Sequence, residues 1–199
     1  YIDVVSMFRP VTKWNTAVAA PEIIGEVVRK AFKVSEAEKP GAAHIELSED
    51  IAARGIDGVC LPLRAHKPRR PSADNWSIGK AVEMIAGSRF PLVLAGNGAV
   101  RRRASERLTA LCRGLQIPVL ATFMGKDAVS DELDQSLMVM GLGFRDFCME
   151  AVDQADLIIT VGYDIAEYAP ENWNSGAGKP IVHIDFEPAE VYTHYNPNL

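Results

Sequence analysis

A glycine-rich turn at residues 96–98 is the part of the sequence whose residue types best suit binding chemistry. Residues 92–95 form a short apolar run, and Gly96, Asn97 and Gly98 follow it directly. From residue 101 onward the apolar positions change to helical spacing, so the pattern predicts a strand, a tight turn and a helix. Glycines let backbone N–H groups approach an anion, and the positive end of a helix favours negative charge. The chemistry indicated is binding of a nucleotide diphosphate.

The turn departs from the full dinucleotide-binding fingerprint in two places. Arg101 stands where a third glycine is expected, and the next predicted strand, residues 117–122, ends without an acidic residue. Two interpretations stay open. Gly96 and Gly98 bind a diphosphate, or they only turn a strand into a helix.

Side chains for covalent or acid–base catalysis form no recognisable set. No Ser, Cys or His lies in a nucleophile motif, and neither H-x-x-x-H nor C-x-x-C occurs. Glu46, Glu49 and Asp50 follow a predicted strand and could do acid–base work, although solvated surface carboxylates are the alternative. His44 and His183 lie within predicted strands and are interpreted as packed side chains.

Composition is that of an ordinary globular chain. Hydrophobic residues make up 48% and charged residues 24%, and the formal net charge of -5 argues against nucleic-acid binding. No apolar run approaches the roughly 18 residues that span a membrane, and no signal peptide is visible. Cys112 and Cys148 fit helical apolar patterns as small core residues, and no cysteine pair has metal-ligand spacing. These features predict a cytoplasmic chain without nucleic-acid or membrane partners.

The first fifty residues predict a single βαβ unit. A short strand over 10–15, a helix that opens at Pro21 and a strand over 42–47 follow one another. One such unit has too little core to stand alone, so it needs contacts from elsewhere. The sequence begins at Tyr1 in mid-pattern rather than at Met, which suggests a fragment of a longer protein. A stretch rich in proline and basic residues, 56–74, then predicts a semi-rigid linker.

Residues 75–199 predict a second domain of alternating helices and strands. Its first helix is expected to be capped by Ser72 or Asp74 and to bury an apolar stripe. That stripe consists of Ile78, Ala81, Val82 and Ile85. The predicted strands cover residues 92–95, 117–122, 156–162 and 180–185, and residues 131–140 are expected to be irregular.

This alternation predicts an α/β fold, a parallel sheet with helices on both faces. Ligands of such sheets sit beyond the carboxyl ends of the strands, where four loops could line one crevice. Glycines and one acid at its edge suit a dinucleotide, although loops at strand ends are often rich in glycine without any ligand.

Six segments along the chain match motifs that occur together in one enzyme family. Residues 10–14 look like P-I-T-K-W, and residues 40–50 look like R-P-G-P-V-x-V-x-x-P-x-D with Ser48 in place of the usual proline. The other segments are 91–98 (P-V-x-x-x-G-x-G), 117–126 (I-P-V-x-x-T-x-x-G-K/L-G), 155–162 (A-D-L-x-x-x-x-G) and 183–190 (H-I-D-x-x-P-A-E). On these motifs the whole chain resembles part of the thiamine-diphosphate enzymes, and most closely the acetolactate synthases.

Within that family, residues 162–174 look like the G-Y-D-x-x-E-Y-x-x-x-x-W-N of the catabolic, flavin-free acetolactate synthases. Flavin-carrying relatives place a His near Gly143 and an Arg near Asp164, where an acid would face the flavin diphosphate with like charge. The resemblance therefore implies a vestigial dinucleotide cleft, filled by side chains, with no FAD bound. The residues expected to line it are Gly96, Asn97, Gly98, Thr122, Met124, Gly141, Gly143, Gly162, Tyr163, Asp164 and Asp185.

The resemblance also implies a division of the chain. Residues 1–55 would be the end of a pyrimidine-binding domain, 56–74 a linker, and 75–199 a Rossmann-like central domain. The family's catalytic Glu would lie upstream of Tyr1, and its G-D-G…N motif for Mg²⁺ and diphosphate downstream of Leu199. This chain is therefore expected to be a structural and assembly part with no catalytic or metal-binding residue of its own.

The parent protein would condense two pyruvates to 2-acetolactate and CO₂ with thiamine diphosphate and Mg²⁺. Its missing domains and further copies, in a dimer or tetramer, would be the partners of this chain. Two alternatives stay open. One is a related decarboxylase or pyruvate oxidase that holds FAD, and the other is a stand-alone nucleotide-binding module that uses Gly96, Gly98 and Asp185.

Overall fold

The chain divides into two compact units, Tyr1–Arg70 and Pro71–Leu199. The computed structural model describes residues 2–58, 62–66, 71–101, 104–141 and 146–199. Within these ranges no helix has the length and apolar character that crossing a membrane requires.

The first unit is a strand–helix–strand arrangement with two short flanking helices. Its elements are α1 (Val4–Phe8), β1 (Trp14–Ala17), α2 (Ile24–Glu36), β2 (Ala43–Glu46) and α3 (Glu49–Ala52), with 3₁₀ turns at Arg9–Val11 and Pro21–Ile23. β1 and β2 pair in parallel, with Trp14 opposite Ala43. The predicted strand over 10–15 begins later than expected, because Pro10 lies in a 3₁₀ turn that suits its fixed φ. Among the described residues of this unit, the hydrophobic core cluster is small and is centred on Val18, Val27 and Ile51.

The second unit contains a five-stranded parallel sheet. Its helices are α4 (Asn75–Gly87), α5 (Asn97–Arg101), α6 (Ser105–Leu115) and α7 (Cys148–Gln154). Its strands are β3 (Pro91–Ala95), β4 (Val119–Ala121), β5 (Ser136–Val139), β6 (Leu157–Val161) and β7 (Ile181–Ile184). The strand order is β5-β4-β3-β6-β7, and every described pairing is parallel. The predicted fold class is confirmed.

Both faces of this sheet are buried. Along β3, Leu92 and Leu94 point into one apolar layer with α7, while Val93 and Ala95 point into the other with α4 and α6. This is why β3 and β4 are uninterrupted apolar runs rather than alternating ones. Cys112 and Cys148 lie in these layers as free, buried thiols, as predicted, and burial raises the pKa of Cys112 to about 11. Cys60 lies outside the described residues.

Two predictions for this unit were wrong in part. Residues 131–140, expected to be irregular, contain β5, whose short ladder to β4 shifts register and whose Met138 has a φ of 64°. These distortions break the regular alternation that marks a strand in sequence. In α4, Ile78 and Val82 are exposed, and the helix packs through Ala81, Met84 and Ile85 instead.

Hydrogen bonds to Asp156 connect the start of β6 to the turn that leads into β3. Its carboxylate accepts hydrogen bonds from the Ser88 hydroxyl, from Arg89 N at 2.9 Å and from Phe90 N at 3.0 Å. The Ser88 hydroxyl, followed by these two amides, lowers the pKa of Asp156 to about 2. The charged form is thus favoured by folding.

We expect Asp156→Asn to lower stability at pH 7 and to flatten the acid limb of the stability curve. Because the folded pKa lies below the unfolded value of about 3.9, the contribution of Asp156 is complete above about pH 4 and disappears as the pH falls towards 2. Denaturant midpoints of both proteins between pH 2 and 7 would test this. Parallel curves over that range would contradict it.

Candidate functional site

The carboxyl ends of β3 and β6 form the topological switch point of the sheet. From β3 the chain continues to β4 on one side, and from β6 it continues to β7 on the other. In open parallel sheets this is the place where the strand-end loops separate and a ligand crevice forms. The Gly96–Gly98 turn follows β3, and Gly162 follows β6, so both lie at the switch point.

The two glycine turns are in direct contact with each other. Gly98 N donates to Gly162 O at 2.8 Å. A Cβ on Gly98 would lie 2.7 Å from Gly162 Cα, and one on Gly96 would collide with Gly162 O. Gly162 itself has a φ of 59°, in the left-handed region that favours glycine. Packing of the chain against itself is therefore sufficient to explain why these positions require glycine.

A carboxylate from the loop after β6 closes the crevice. Asn97 N donates to both oxygens of Glu167, at 3.0 and 3.1 Å, and Thr122 Oγ1 donates to Glu167 Oε2 at 2.5 Å. Thr122 Oγ1 in turn accepts from Gly125 N at 2.9 Å. Glu167 therefore joins the loops that follow β3, β4 and β6.

The environment of this carboxylate is partly desolvated and negative. Burial is the largest influence and raises the pKa of Glu167, and the nearby charge of Asp164 acts in the same direction. The hydrogen bonds from Thr122 and Asn97 act against that shift. A phosphate bound at the Gly96–Gly98 turn would have to displace this carboxylate or lie next to it. The negative charges of the phosphate and of Glu167 would then repel each other.

The structure brings five of the predicted cleft residues together: Gly96, Asn97, Gly98, Thr122 and Gly162. Glu167, which accepts hydrogen bonds from Asn97 N and Thr122 Oγ1, was not among the predicted site residues. Only its place in the G-Y-D-x-x-E-Y pattern could have indicated it.

Among the other predicted cleft residues, Asp164 stays next to Glu167, whereas Asp185, Gly141 and Met124 have separate surroundings. Asp164 accepts from Ala166 N within its own turn, and Asp185 accepts from Phe186 N. Gly141 N donates to Asp146 at 2.8 Å, and the Met124 side chain is exposed. Gly143 lies outside the described residues.

Tyr163 belongs to a buried polar and aromatic network rather than to a cleft wall. Its hydroxyl donates to Tyr168 O and accepts from Trp173 Nε1 at 3.2 Å. The Tyr163, Trp173 and Tyr195 rings make edge and tilted contacts, with centroids 5.3 to 6.1 Å apart. This network anchors the long segment between β6 and β7.

His183 is tied into the same region. Its Nε2 donates to Glu187 O at 3.2 Å, so in the neutral ring Nδ1 accepts from the Tyr195 hydroxyl at 2.8 Å. Thr160 Oγ1 then donates to the Tyr195 oxygen, also at 2.8 Å. The prediction that His183 is a packed, satisfied strand residue is confirmed.

The second unit matches a known family along almost its whole length. The model of the central domain of thiamine pyrophosphate enzymes matches residues 78–199. The chain belongs to the thiamine pyrophosphate enzymes. Its sheet and switch point are therefore those of this family's central domain.

Relatives of this thiamine pyrophosphate enzyme chain carry consistent names. Over 96% of its length, the chain is 33% identical to the "Probable acetolactate synthase large subunit" of Methanocaldococcus jannaschii, and it covers 33% of that protein. It is 30% identical over its full length to the "Acetolactate synthase" of Bacillus subtilis and 32% identical to the "Acetolactate synthase, catabolic" of Raoultella terrigena, covering 35% of each. The chain thus spans about a third of the length of these curated relatives.

We expect Glu167→Ala to destabilise the protein by about 1–3 kcal/mol, because Asn97 N and Thr122 Oγ1 lose their acceptor in a partly buried place. Glu167→Gln should stay within about 1 kcal/mol of the parent at pH 7, since its amide can still accept from Asn97 and can donate to Thr122. Chemical denaturation of both variants measures this. Equal stability of the alanine variant and the parent would contradict the bridging role.

Charge removal at Glu167 should also change the pH dependence. Because burial raises the folded pKa of Glu167 above its unfolded value, folding favours its protonated form and this site adds stability as the pH falls. Glu167→Gln should lack that increase. If the glutamine variant and the parent differ by a constant amount from pH 7 to 4, this assignment is wrong.

Gly98→Ala should cost about 1–3 kcal/mol, because the added Cβ collides with the Gly162 backbone, which cannot move as a side chain can. The matched control is Gly114→Ala in α6, where a Cβ meets open space. There alanine should raise stability by up to about 1 kcal/mol. Thermal unfolding of the two variants should shift in opposite directions.

Proposed function

We propose that this chain supplies the central domain of a flavin-free acetolactate synthase. The whole protein would be a transferase that condenses two pyruvates to 2-acetolactate with loss of CO₂. Relatives named acetolactate synthase that align with 96–100% of the chain, one of them of the catabolic type, support this proposal.

The carrying observation for the flavin-free type is the Glu167 carboxylate on Asn97 N and Thr122 Oγ1. A dinucleotide would place its diphosphate beyond the carboxyl end of β3, at the switch point. The glycine turn there is packed against Gly162 and faces an acid of the chain itself. The residues present therefore fit neither the shape nor the charge of FAD.

Thiamine diphosphate and Mg²⁺ are the cofactors we propose for the whole protein. When bound, thiamine diphosphate supplies the carbanion that attacks a 2-keto acid. The described residues contain no group of three or more His, Cys, Asp or Glu side chains placed to hold a metal ion. We propose that the Mg²⁺ ligands and the bond-forming steps belong to the rest of the protein.

The contribution of this chain is then architectural. Residues 75–199 would form the central domain, after a linker at 56–74 and the end of a pyrimidine-binding domain at 1–55. The family match from residue 78 and the unit boundary at Arg70 and Pro71 support this division. We further propose a cytoplasmic homo-oligomer in which the other domains of the protein cover the first unit.

A second candidate function is favoured by the strand order. The sheet has the doubly wound order of nucleotide-binding folds, with a glycine turn after its first strand. A relative that holds FAD, such as an oxidase, or a nucleotide-binding module would use the same switch point. In either case Glu167 would have to leave the Asn97 amide.

Calorimetric titration of the chain with FAD, with ADP, and with thiamine diphosphate plus Mg²⁺ distinguishes these functions. We expect no saturable binding of any of them. Tight FAD binding, with a yellow complex, would contradict the flavin-free assignment. Binding of ADP alone would favour the nucleotide-binding module.

A further inference from the structure

The switch point contains the one asparagine of the sequence that is followed by glycine, Asn97 before Gly98. Glycine has no Cβ, so its backbone nitrogen can approach the side chain of the preceding residue without hindrance. Both residues are half-buried, and water therefore has access to them. These are the properties of a site at which an asparagine loses its side-chain amide.

The reaction of such a pair proceeds through a succinimide ring. The Gly98 nitrogen attacks Cγ of Asn97, so that a bond forms between these two atoms and the bond from Cγ to Nδ2 breaks. Nδ2 leaves as ammonia and takes with it the proton that the Gly98 nitrogen gives up. A water molecule then opens the ring, at Cγ to give aspartate or at the backbone carbonyl to give isoaspartate.

The closed switch point keeps the two reacting atoms apart. Asn97 is the first residue of α5, and in a helix the Cα–Cβ bond tilts towards the N-terminus, away from the nitrogen of the next residue. Gly98 N is also held by Gly162 O at 2.8 Å. Asn97 N is held by both oxygens of Glu167, at 3.0 and 3.1 Å. Ring closure therefore needs a rotation of the backbone that these hydrogen bonds oppose.

We propose that Asn97 is a latent deamidation site, which the contacts of the Gly96–Gly98 turn with Gly162 and Glu167 keep unreactive. Reaction then requires local opening of the loops after β3 and β6. Its rate is the rate in the open chain multiplied by the fraction of molecules that are open. Glu167 supplies one of the two restraints on this peptide, so its hydrogen bonds help to set that fraction.

Asn174 shows a different kind of protection in the same unit. It precedes Ser175, another small residue, but its side chain is only 4% exposed. Its Nδ2 donates to His194 O at 2.8 Å, and its Oδ1 accepts from Lys179 N at 3.2 Å. The hydrogen bonds described above restrain the backbone of Asn97, and among the described residues none engages its side-chain amide. Protection of Asn97 therefore depends on the loop contacts.

Either product of the reaction is incompatible with the closed switch point. An aspartate at position 97 brings a second negative charge next to the Glu167 carboxylate, where like charges repel. An isoaspartate at this position inserts an additional carbon atom into the backbone before Gly98, which moves the Gly98 nitrogen relative to Gly162 O. Deamidation thus converts a reversible opening of these loops into a permanent one.

Peptide mapping of the 199-residue chain after ageing in mildly alkaline buffer tests the proposal. Trypsin releases residues 90–101, in which Asn97 is the only amide side chain, so a mass gain from amide to acid is assigned to it directly. Unaged protein gives the background. The native parent should react at least about tenfold more slowly than the same chain unfolded in guanidinium. Equal rates in the native and the unfolded chain would overturn the proposal.

Three variants separate local opening from general loss of stability. Glu167→Ala should accelerate the native reaction about tenfold or more, whereas Glu167→Gln, which keeps both hydrogen bonds, should react like the parent. Asp156→Ala is the control, because it removes hydrogen bonds at the amino end of β6, away from the switch point. Its free energy of unfolding should fall without acceleration at Asn97. Equal acceleration in both alanine variants, or none in Glu167→Ala, would overturn the proposal.

Discussion

The carboxylate of Glu167 is the interaction on which the organisation of the switch point depends. It connects the loops after three neighbouring strands through one amide of Asn97 and the hydroxyl of Thr122. The chain leaves β3 and β6 towards opposite sides of the sheet, and this carboxylate adds to the direct Gly98–Gly162 contact between their loops. A partly buried carboxylate with satisfied hydrogen bonds keeps them together. Its negative charge also makes the place unfavourable for a phosphate.

The glycines at this place show that one residue type can serve two different purposes. A glycine turn after the first strand of a doubly wound sheet lets the backbone approach either a diphosphate or another part of the chain. Here the neighbour of Gly98 is Gly162, and the positive φ of Gly162 completes a contact between two turns. Steric need for glycine therefore does not by itself indicate a ligand. The charge of the group that faces the turn carries that information.

The loop between β6 and β7 is ordered by polar groups buried among aromatic rings. Tyr163, Trp173 and Tyr195 pack together, and Thr160 and His183 bind the Tyr195 hydroxyl from the strands beneath. Each of these hydrogen bonds directs a donor to an acceptor, so the network specifies one arrangement. The loop holds Glu167 in turn. Packing on one face of the sheet thus places the Glu167 side chain at the carboxyl ends of the strands.

The fold class and the family of this protein could be predicted from the sequence alone. Apolar runs such as residues 92–95 and 157–159, separated by helical patterns, were enough to predict a parallel sheet covered on both faces, because two buried faces leave few polar positions. The glycine turns and the family motifs likewise depend on local residue types. These features are predictable because each depends on the types and spacing of residues that are close together in the sequence.

Three features were decided only by the tertiary structure. Ile78 and Val82 have the spacing of a buried stripe, but docking of α4 on the sheet selected the Ala81, Met84 and Ile85 side. β5 is held by its pairing with β4 despite irregular local geometry. Glu167 lies 70 residues from Asn97 and 45 from Thr122. No local pattern reports contacts over such separations, because they arise when the sheet orders its strands and brings their carboxyl ends together.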